Sequence, residues 1–158
     1  MHSHHGGLNT YGPLVARILL AALFIVSGVG KIFGFAGTAG YIASVGLPAG
    51  NLLAVIAIIV EVGGGILLLI GWQGRLAAWI LAGYSLLTAA IFHNNIADQT
   101  QLISALKNIS IAGGMLMVAL YGTGPFSVSC KCNGKYCLDC KSCSTCKDGT
   151  CAVHANKT

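Results

Sequence analysis

Charged residues are scarce in this chain. They make up 8% of its 158 residues, and four of them are acidic, whereas a typical soluble domain carries about 25%. Proline occurs three times, and residues 1–129 contain no cysteine. A water-soluble helical bundle needs a polar face on each helix, and the mean hydropathy of +0.77 leaves too few polar residues for one. The composition therefore excludes that class of protein.

Several functional signatures are also absent. The chain has no phosphate-binding loop, no HExxH zinc motif and no Ser/His/Asp arrangement, so nothing indicates a nucleotide enzyme or a hydrolase. Five of the nine Lys and Arg residues follow residue 130, and the rest of the chain carries a net charge of only +2. This charge is too small for a phosphate-binding face, and we expect no nucleic-acid partner.

Long apolar stretches are abundant. Four of them, each of 17 to 22 residues, are Gly12–Phe33, Leu52–Trp72, Leu76–Phe92 and Ile103–Tyr121. A helix rises about 1.5 Å per residue, so about 20 residues cross the hydrocarbon layer of a bilayer. Glycines recur in these stretches, and they allow helices to approach closely in lipid. The sequence predicts an all-α membrane protein, a bundle of four spanning helices in the lipid bilayer.

The chain divides into an N-terminal segment with histidines (1–11), a membrane domain (12–127) and a cysteine-rich tail (128–158). Four crossings place both termini on one side of the membrane. That side carries Arg17, Arg75 and the first lysines of the tail, against Lys31 and Lys107 on the other side. The positive-inside rule then predicts cytoplasmic termini.

The tail contains all seven cysteines. Three consecutive C-x2-C steps run from Cys137 to Cys146, and such a step brings two thiolates to one ion. Soft thiolates select Cu(I), Zn(II) or iron–sulfur clusters, but the ferredoxin run is not matched, because the last gap is two residues and no proline follows. We expect bound Cu(I) or Zn(II), with ligands drawn from Cys130, Cys132, Cys137, Cys140, Cys143, Cys146, Cys151 and His154.

Two other interpretations of the tail stay open, namely redox-active thiols or disulfides and a solvated tail without a ligand. A cytoplasmic tail favours reduced thiols, and an odd number of cysteines does not suit complete pairing. His2, His4 and His5 are either further ligands on the same side, solvated residues or a cloning remnant.

Polar residues inside the predicted helices form a second candidate site. Glu61 lies near mid-membrane, where an ionised carboxylate needs a partner. Lys31, His93 and Lys107 lie toward the outer ends of their helices, and Asn94, Asp98, Gln99 and Asn108 are near them in the predicted topology. One interpretation is a structural ion pair of Glu61 with Lys31 or Lys107. The other is a pocket for a quinone headgroup or a small sulfur compound, in which His93 or Glu61 moves protons.

The order of several motifs resembles the DoxX family of small membrane proteins. These motifs are RILLAALFIVSGVGKIFGFAG (17–37), VGLP (45–48), IVEVGGGILLLIGWQGRLAAWIL (59–81), FHN (92–94), DQTQ (98–101), LKNISIAGGMLM (106–117) and GTGPFS (122–127). The resemblance implies a four-helix membrane bundle in a prokaryotic plasma (inner) membrane. It also implies an association with thiol, thiosulfate and quinone redox chemistry. The cysteine tail departs from the family pattern after Ser127.

The resemblance assigns the family's recurring polar positions to Arg17, Lys31, Glu61, Arg75, His93, Asp98, Lys107 and Asn108. Among them we expect catalytic roles for Lys31, Glu61, His93 and Lys107. We expect cofactor-binding roles for Arg17, Asp98 and Asn108, although Arg17 also suits an anchor whose side chain snorkels to the inner face.

Three functions remain in competition. In the first, the protein is a membrane oxidoreductase subunit whose bundle binds quinone or a sulfur substrate, while the tail thiols pass electrons or hold metal. In the second, it handles or resists metals through the tail, and the bundle is an anchor or a platform. In the third, it is a metal-sensing or assembly subunit with no chemistry of its own. Its partners could be a redox or metal-delivery protein, or a second copy of the chain.

Overall fold

A computed structural model describes the backbone of residues 6–93, 97–123, 127, 146–147 and 150–151, and the side chains of residues 11–93, 97–123 and 127. Asn94 and most of the predicted tail ligands lie outside the described residues, and Cys146 and Cys151 are described by their backbone alone. The helices are α1 (Gly6–Phe33), α2 (Phe35–Ser44), α3 (Gly50–Ile58), a π turn (Ile59–Gly63), α4 (Gly64–Ile70), α5 (Gly74–Phe92) and α6 (Gln99–Tyr121).

Four helical segments are long and apolar enough to cross a membrane: Tyr11–Phe33, Gly50–Ile70, Gly74–Phe92 and Gln99–Tyr121. They agree with the predicted stretches to within a few residues at each end, and the all-α membrane bundle is confirmed. We refer to them as the first to fourth spans. The second span is continuous and contains α3, the π turn and α4.

The core of the bundle is built largely from small residues. Alanines such as Ala21 and Ala78 are fully buried beside Leu68, Leu81 and Met115. Large apolar side chains lie instead on the outside of the bundle, where acyl chains contact them in a bilayer. The bundle is therefore held by close backbone approach more than by a bulky interior.

Glycines permit the closest of these approaches. A Cβ atom added to Gly28 of α1 would lie 2.6 Å from Cγ2 of Val62 in the π turn. A Cβ at Gly65 of α4 would lie 2.8 Å from Cγ1 of Ile25. Side chains at either position would push α1 away from the second span, so the close helix approach that the glycines predict agrees with the geometry.

Helix α2 was not predicted. The chain bends at Gly34 without losing hydrogen bonds, because the Gly34 amide donates to the Gly30 carbonyl (2.9 Å) and the Gly34 carbonyl accepts from the Thr38 amide (2.9 Å). Ala39 and Ile42 of α2 then pack on Ala54 of α3. As a result, α2 lies at the end of the bundle where α1 and α5 finish and α3 begins.

The described backbone of the tail forms one short antiparallel pair, β1 (Cys146–Lys147) and β2 (Thr150–Cys151). In this pair, Cys146 is the ladder partner of Cys151. The two cysteines are thus neighbours across the pair, although five positions separate them in sequence.

Candidate functional site

Glu61 lies in the π turn, near the middle of the second span, and is 4% exposed. The flanking sequence is almost wholly apolar, so its helix carries the carboxylate into the interior of the bundle. A π turn inserts one extra residue into a helix, and such turns are frequent at functional sites. The distortion thus falls on the acidic residue of the second span.

Lys31 of α1 is the ion-pair partner of Glu61. Its Nζ lies 2.9 Å from Oε1 and 2.8 Å from Oε2 of the carboxylate. The ammonium also donates to Oγ of Ser27, one helical turn earlier, at 2.8 Å. The lysine side chain is 26% exposed and the glutamate side chain 5% exposed. The three ammonium protons therefore all have acceptors, and two of them neutralise a buried carboxylate.

Tyr84 of α5 completes the contacts of this carboxylate. Its hydroxyl donates to Oε1 of Glu61 at 2.6 Å. Three spans consequently meet at one carboxylate, through Lys31 from the first, Glu61 from the second and Tyr84 from the third. Hydrogen bonds to ionised groups are stronger than those between neutral groups, so this contact ties the spans together as well as positioning the tyrosine.

A cavity of about 300 Å³ adjoins the three residues. Its volume lies at the lower end of the range for ligand pockets. Apolar side chains form much of the wall, and the polar groups that face it are those of Ser27, Lys31, Thr38, Tyr41, Glu61, Tyr84, Ser85, Thr88, His93 and Asn108. The arrangement suits a small ligand with an apolar body and a few polar atoms.

His93 and Asn108 supply further polar atoms to the cavity. Nδ1 of His93 lies 2.8 Å from Oε1 of Gln101, and a carbonyl oxygen only accepts, so the proton of that bond is on Nδ1. The Nε2 atom of a neutral ring is then an acceptor. Within the described part of the chain, the side-chain amide of Asn108 makes no hydrogen bond, and this residue lines the cavity.

Lys107, a predicted member of the site, lies just outside it. Its side chain is exposed and lines an open groove that adjoins the cavity, together with His93 and Asn108. Of the two lysines considered as partners for Glu61, the structure selects Lys31.

Three other predicted positions are not brought to the cavity. Arg17 is only 2% exposed and donates from a guanidinium nitrogen to the Thr123 carbonyl (2.7 Å), at the opposite end of the bundle. It therefore does not extend to the surface as a snorkelling anchor would. Asp98 caps α6 by accepting from the Thr100 amide at 2.9 Å, and Arg75 is exposed in the first turn of α5.

Sequence reasoning missed the contribution of α5. Tyr84, Ser85 and Thr88 all line the cavity, and Tyr84 and Thr88 are four residues apart, which places them on one face of the helix. Such hydroxyls in an otherwise apolar span are a usable sequence signal of a polar interior. Thr38 and Tyr41 were missed because they belong to the unpredicted α2.

The predicted metal ligands belong to the tail, and the described lining of this cavity belongs to the membrane domain. Among the residues whose side chains are described, no group of three His, Cys, Asp or Glu could hold a metal ion. The predicted thiolate ligands are outside that set, so the tail interpretation stays a prediction.

The fold and the cavity define a class of protein: a small four-helix membrane bundle with a buried ion pair beside an internal pocket. A family model described as DoxX matches residues 12–94, and the chain belongs to the DoxX family. The matched range includes Lys31, Glu61, Tyr84 and His93.

Two proteins of Escherichia coli (strain K12) are similar. The chain is 43% identical over 129 residues to inner membrane protein YqjF. The aligned region covers 82% of this chain and 98% of the relative. It is 39% identical over 120 residues to inner membrane protein YphA, covering 73% and 86% respectively. No solved structure matches.

Proposed function

We propose that the membrane domain binds a small quinone-type compound in the cavity and exchanges protons with it. The observation that carries this proposal is the Glu61 carboxylate, which is placed at mid-span, held by Lys31 and Tyr84, and adjacent to a cavity of about 300 Å³. Burying an ion pair is costly even when it is well bonded. A pair that only joined helices would need no cavity beside it.

The polar atoms of the cavity match the two redox states of a quinone. A quinone carbonyl accepts hydrogen bonds, and the Asn108 amide has N–H groups that are not used by the described part of the chain. A quinol hydroxyl donates, and Glu61 and Nε2 of His93 accept. These polar atoms support binding of both forms, and in this proposal the carboxylate and the imidazole transfer the protons.

The electron donor in this proposal is a thiol compound. Oxidation of two thiols to a disulfide releases two electrons and two protons, which together reduce one quinone to quinol. The tail of the same chain is poorly placed as the donor, because the chain leaves α6 beside Arg17, at the opposite end of the bundle from the cavity. A separate thiol or sulfur compound would supply the electrons.

Binding of a quinone to the purified protein in nanodiscs tests this proposal. Glu61→Gln and His93→Ala should weaken binding and stop thiol-dependent quinone reduction. Asp98→Asn is the matched control, since Asp98 caps α6 and does not line the cavity. Equal binding and turnover in all four proteins would refute the proposed site.

We propose a second role for the tail, namely binding a soft metal ion, Cu(I) or Zn(II), through its thiolates. Its support is the density of cysteines and the backbone pairing of Cys146 with Cys151. Residues paired in an antiparallel ladder have Cα atoms about 4.5–5.5 Å apart, close enough for both side chains to reach one ion. If the tail is the functional part, the protein handles or resists metals and the bundle serves as an anchor.

Elemental mass spectrometry with thiol titration, on protein purified without oxygen and without its N-terminal histidines, tests the tail. Metal that is lost on Cys137→Ser with Cys140→Ser would support a thiolate cluster. Absence of metal, with thiols that oxidise in pairs, would refute it and favour redox exchange. Truncation after Ser127 should remove metal tolerance and leave the helical content of the bundle unchanged.

For location, we propose the prokaryotic inner membrane, which is named for both relatives, with cytoplasmic termini. The charge asymmetry across the spans supports this orientation. A reporter enzyme that is active only outside the cytoplasm, fused at the C-terminus, should be inactive. An active fusion would reverse the orientation.

A further inference from the structure

A groove runs along the outside of the bundle between α1 and α6 and opens toward the lipid. Apolar side chains of α1 form one wall, including Leu19, Ala22 and Val26, and Ser104 and Lys107 of α6 line the other. The three apolar residues are exposed on the surface of the bundle. The groove is thus a lipid-facing depression with an apolar wall and a polar rim.

The groove and the cavity share part of their walls. The residues that line both are Leu23, Ser27, His93, Asn108 and Ile111. These side chains form a threshold between the two spaces. A ligand that occupied both would pass directly over it.

The packing of the spans explains why the bundle opens between α1 and α6 at the threshold. Helix α1 packs mainly against the second span and α6 mainly against α5, so contact between α1 and α6 is sparse. One turn from the threshold, a Cβ added to Gly114 would be 3.5 Å from Cδ2 of Leu20, an ordinary contact distance. The seam between the helices is therefore closed at Leu20 and Gly114 and open at Leu23 and Ile111.

Helix α2 covers the cavity at the end of the bundle. Thr38, Tyr41 and Ile42 belong to the cavity wall. The Tyr41 ring stacks on Phe92 of α5, with ring centroids 5.6 Å apart. This contact joins α2 to the third span over the cavity, so the end that faces the aqueous phase is covered while the side facing lipid has a groove.

We propose that the ligand enters the cavity sideways from the bilayer, between α1 and α6, and that it is a tailed amphiphile. Its quinone-type headgroup occupies the cavity and its alkyl or isoprenoid chain lies in the groove against Leu19, Ala22 and Val26. This inference rests on the proposed function. In this proposal the side-chain amide of Asn108, at the threshold, donates a hydrogen bond to a carbonyl of the headgroup. Within the described residues this amide has no other hydrogen-bond partner.

Two ligands of different length allow the lateral route and headgroup binding in the cavity to be tested separately. One is a dimethoxy-methyl-benzoquinone without a side chain, and the other is the same quinone with a decyl chain. Ala22→Phe fills the groove without touching the cavity, because Ala22 lines only the groove. Ala90→Phe is the matched control, as Ala90 is exposed on α5 and lines neither space.

We expect Ala22→Phe to weaken binding of the decyl quinone in nanodiscs by roughly tenfold and to leave the tailless quinone unaffected. Retained binding of the tailless compound also shows that the variant is folded. Ala90→Phe should change neither affinity, and Glu61→Gln should weaken both. If both quinones bind the wild type and Ala22→Phe changes neither affinity, the lateral route is wrong and the pocket stands. If neither quinone binds the wild type, the proposed function fails.

Photolabelling gives an independent readout. A decyl quinone with a diazirine at the end of its chain should label peptides of α1 and α6. Labelling confined to α3, α4 or α5 would overturn the placement of the chain in this groove.

Discussion

The Lys31–Glu61 pair predicts an asymmetric response to substitution. Lys31→Met removes both ammonium contacts from a carboxylate whose side chain is 5% exposed, and leaves it one hydrogen bond, from Tyr84. Removing one partner of a buried pair costs about 3–5 kcal/mol, since the other charge stays buried without compensation. We expect the free energy of unfolding to fall by an amount in that range.

Glu61→Gln should cost less, about 1–3 kcal/mol. The lysine that remains is 26% exposed, keeps its bond to Ser27, and lies in the last turn of α1, where its charge can reach the membrane interface. The double variant, Lys31→Met with Glu61→Gln, contains no buried charge at this site. It should recover to within about 1 kcal/mol of the wild type, because replacing both members of a buried pair is often close to neutral.

Unfolding in mixed micelles, driven by increasing dodecyl sulfate and followed by circular dichroism, measures all three free energies. The reasoning fails if Lys31→Met is no more costly than Glu61→Gln. It also fails if the double variant is destabilised by the sum of the two single effects, since that result would mean that the two groups do not interact.

Three further predictions concern the same bundle. Gly28→Ala should lower the free energy of unfolding by about 1–3 kcal/mol, because its Cβ would overlap Val62. Gly83→Ala, whose Cβ meets open space, should raise the free energy of unfolding by about 0.5–1 kcal/mol. The same unfolding assay compares the two variants, and equal effects would contradict the packing argument. Tyr84→Phe removes the hydroxyl bond to Glu61 and should destabilise by about 1.5–3 kcal/mol while weakening quinone binding, so unchanged values of both quantities would contradict the site. Arg17→Ala should destabilise by about 1–3 kcal/mol through loss of its bond to the Thr123 carbonyl, and a parallel loss of quinone affinity would show that the two ends of the bundle are coupled.

The four spans could be predicted because length and hydropathy alone determine them. Glu61 could be singled out because an acidic residue in an apolar span needs a partner. The choice between Lys31 and Lys107 could not be made, because it depends on how each helix is rotated about its axis, and hydropathy that is high on all sides carries no such information. The structure shows that Lys31 faces inward and Lys107 faces the groove.

Two other features had no signal that hydropathy detects. Helix α2 has ten residues, too few for a span, and no side chain caps its start, so it had none of the features by which helices are recognised from sequence. The burial of Arg17 depends on the chain after α6 returning to bond with it, which is a tertiary contact that no local pattern records.

The π turn lets the two halves of the second span differ in their rotation about the helix axis. An α-helix turns by about 100° per residue, so one extra residue allows the segments before and after it to be aligned separately. Before the turn, Ala57 faces the cavity, and after it, Gly64 and Gly65 face Leu81 and Ile25. The turn itself carries Glu61, so the residue that joins three spans lies where the cavity-facing half of the second span meets its glycine-packed half.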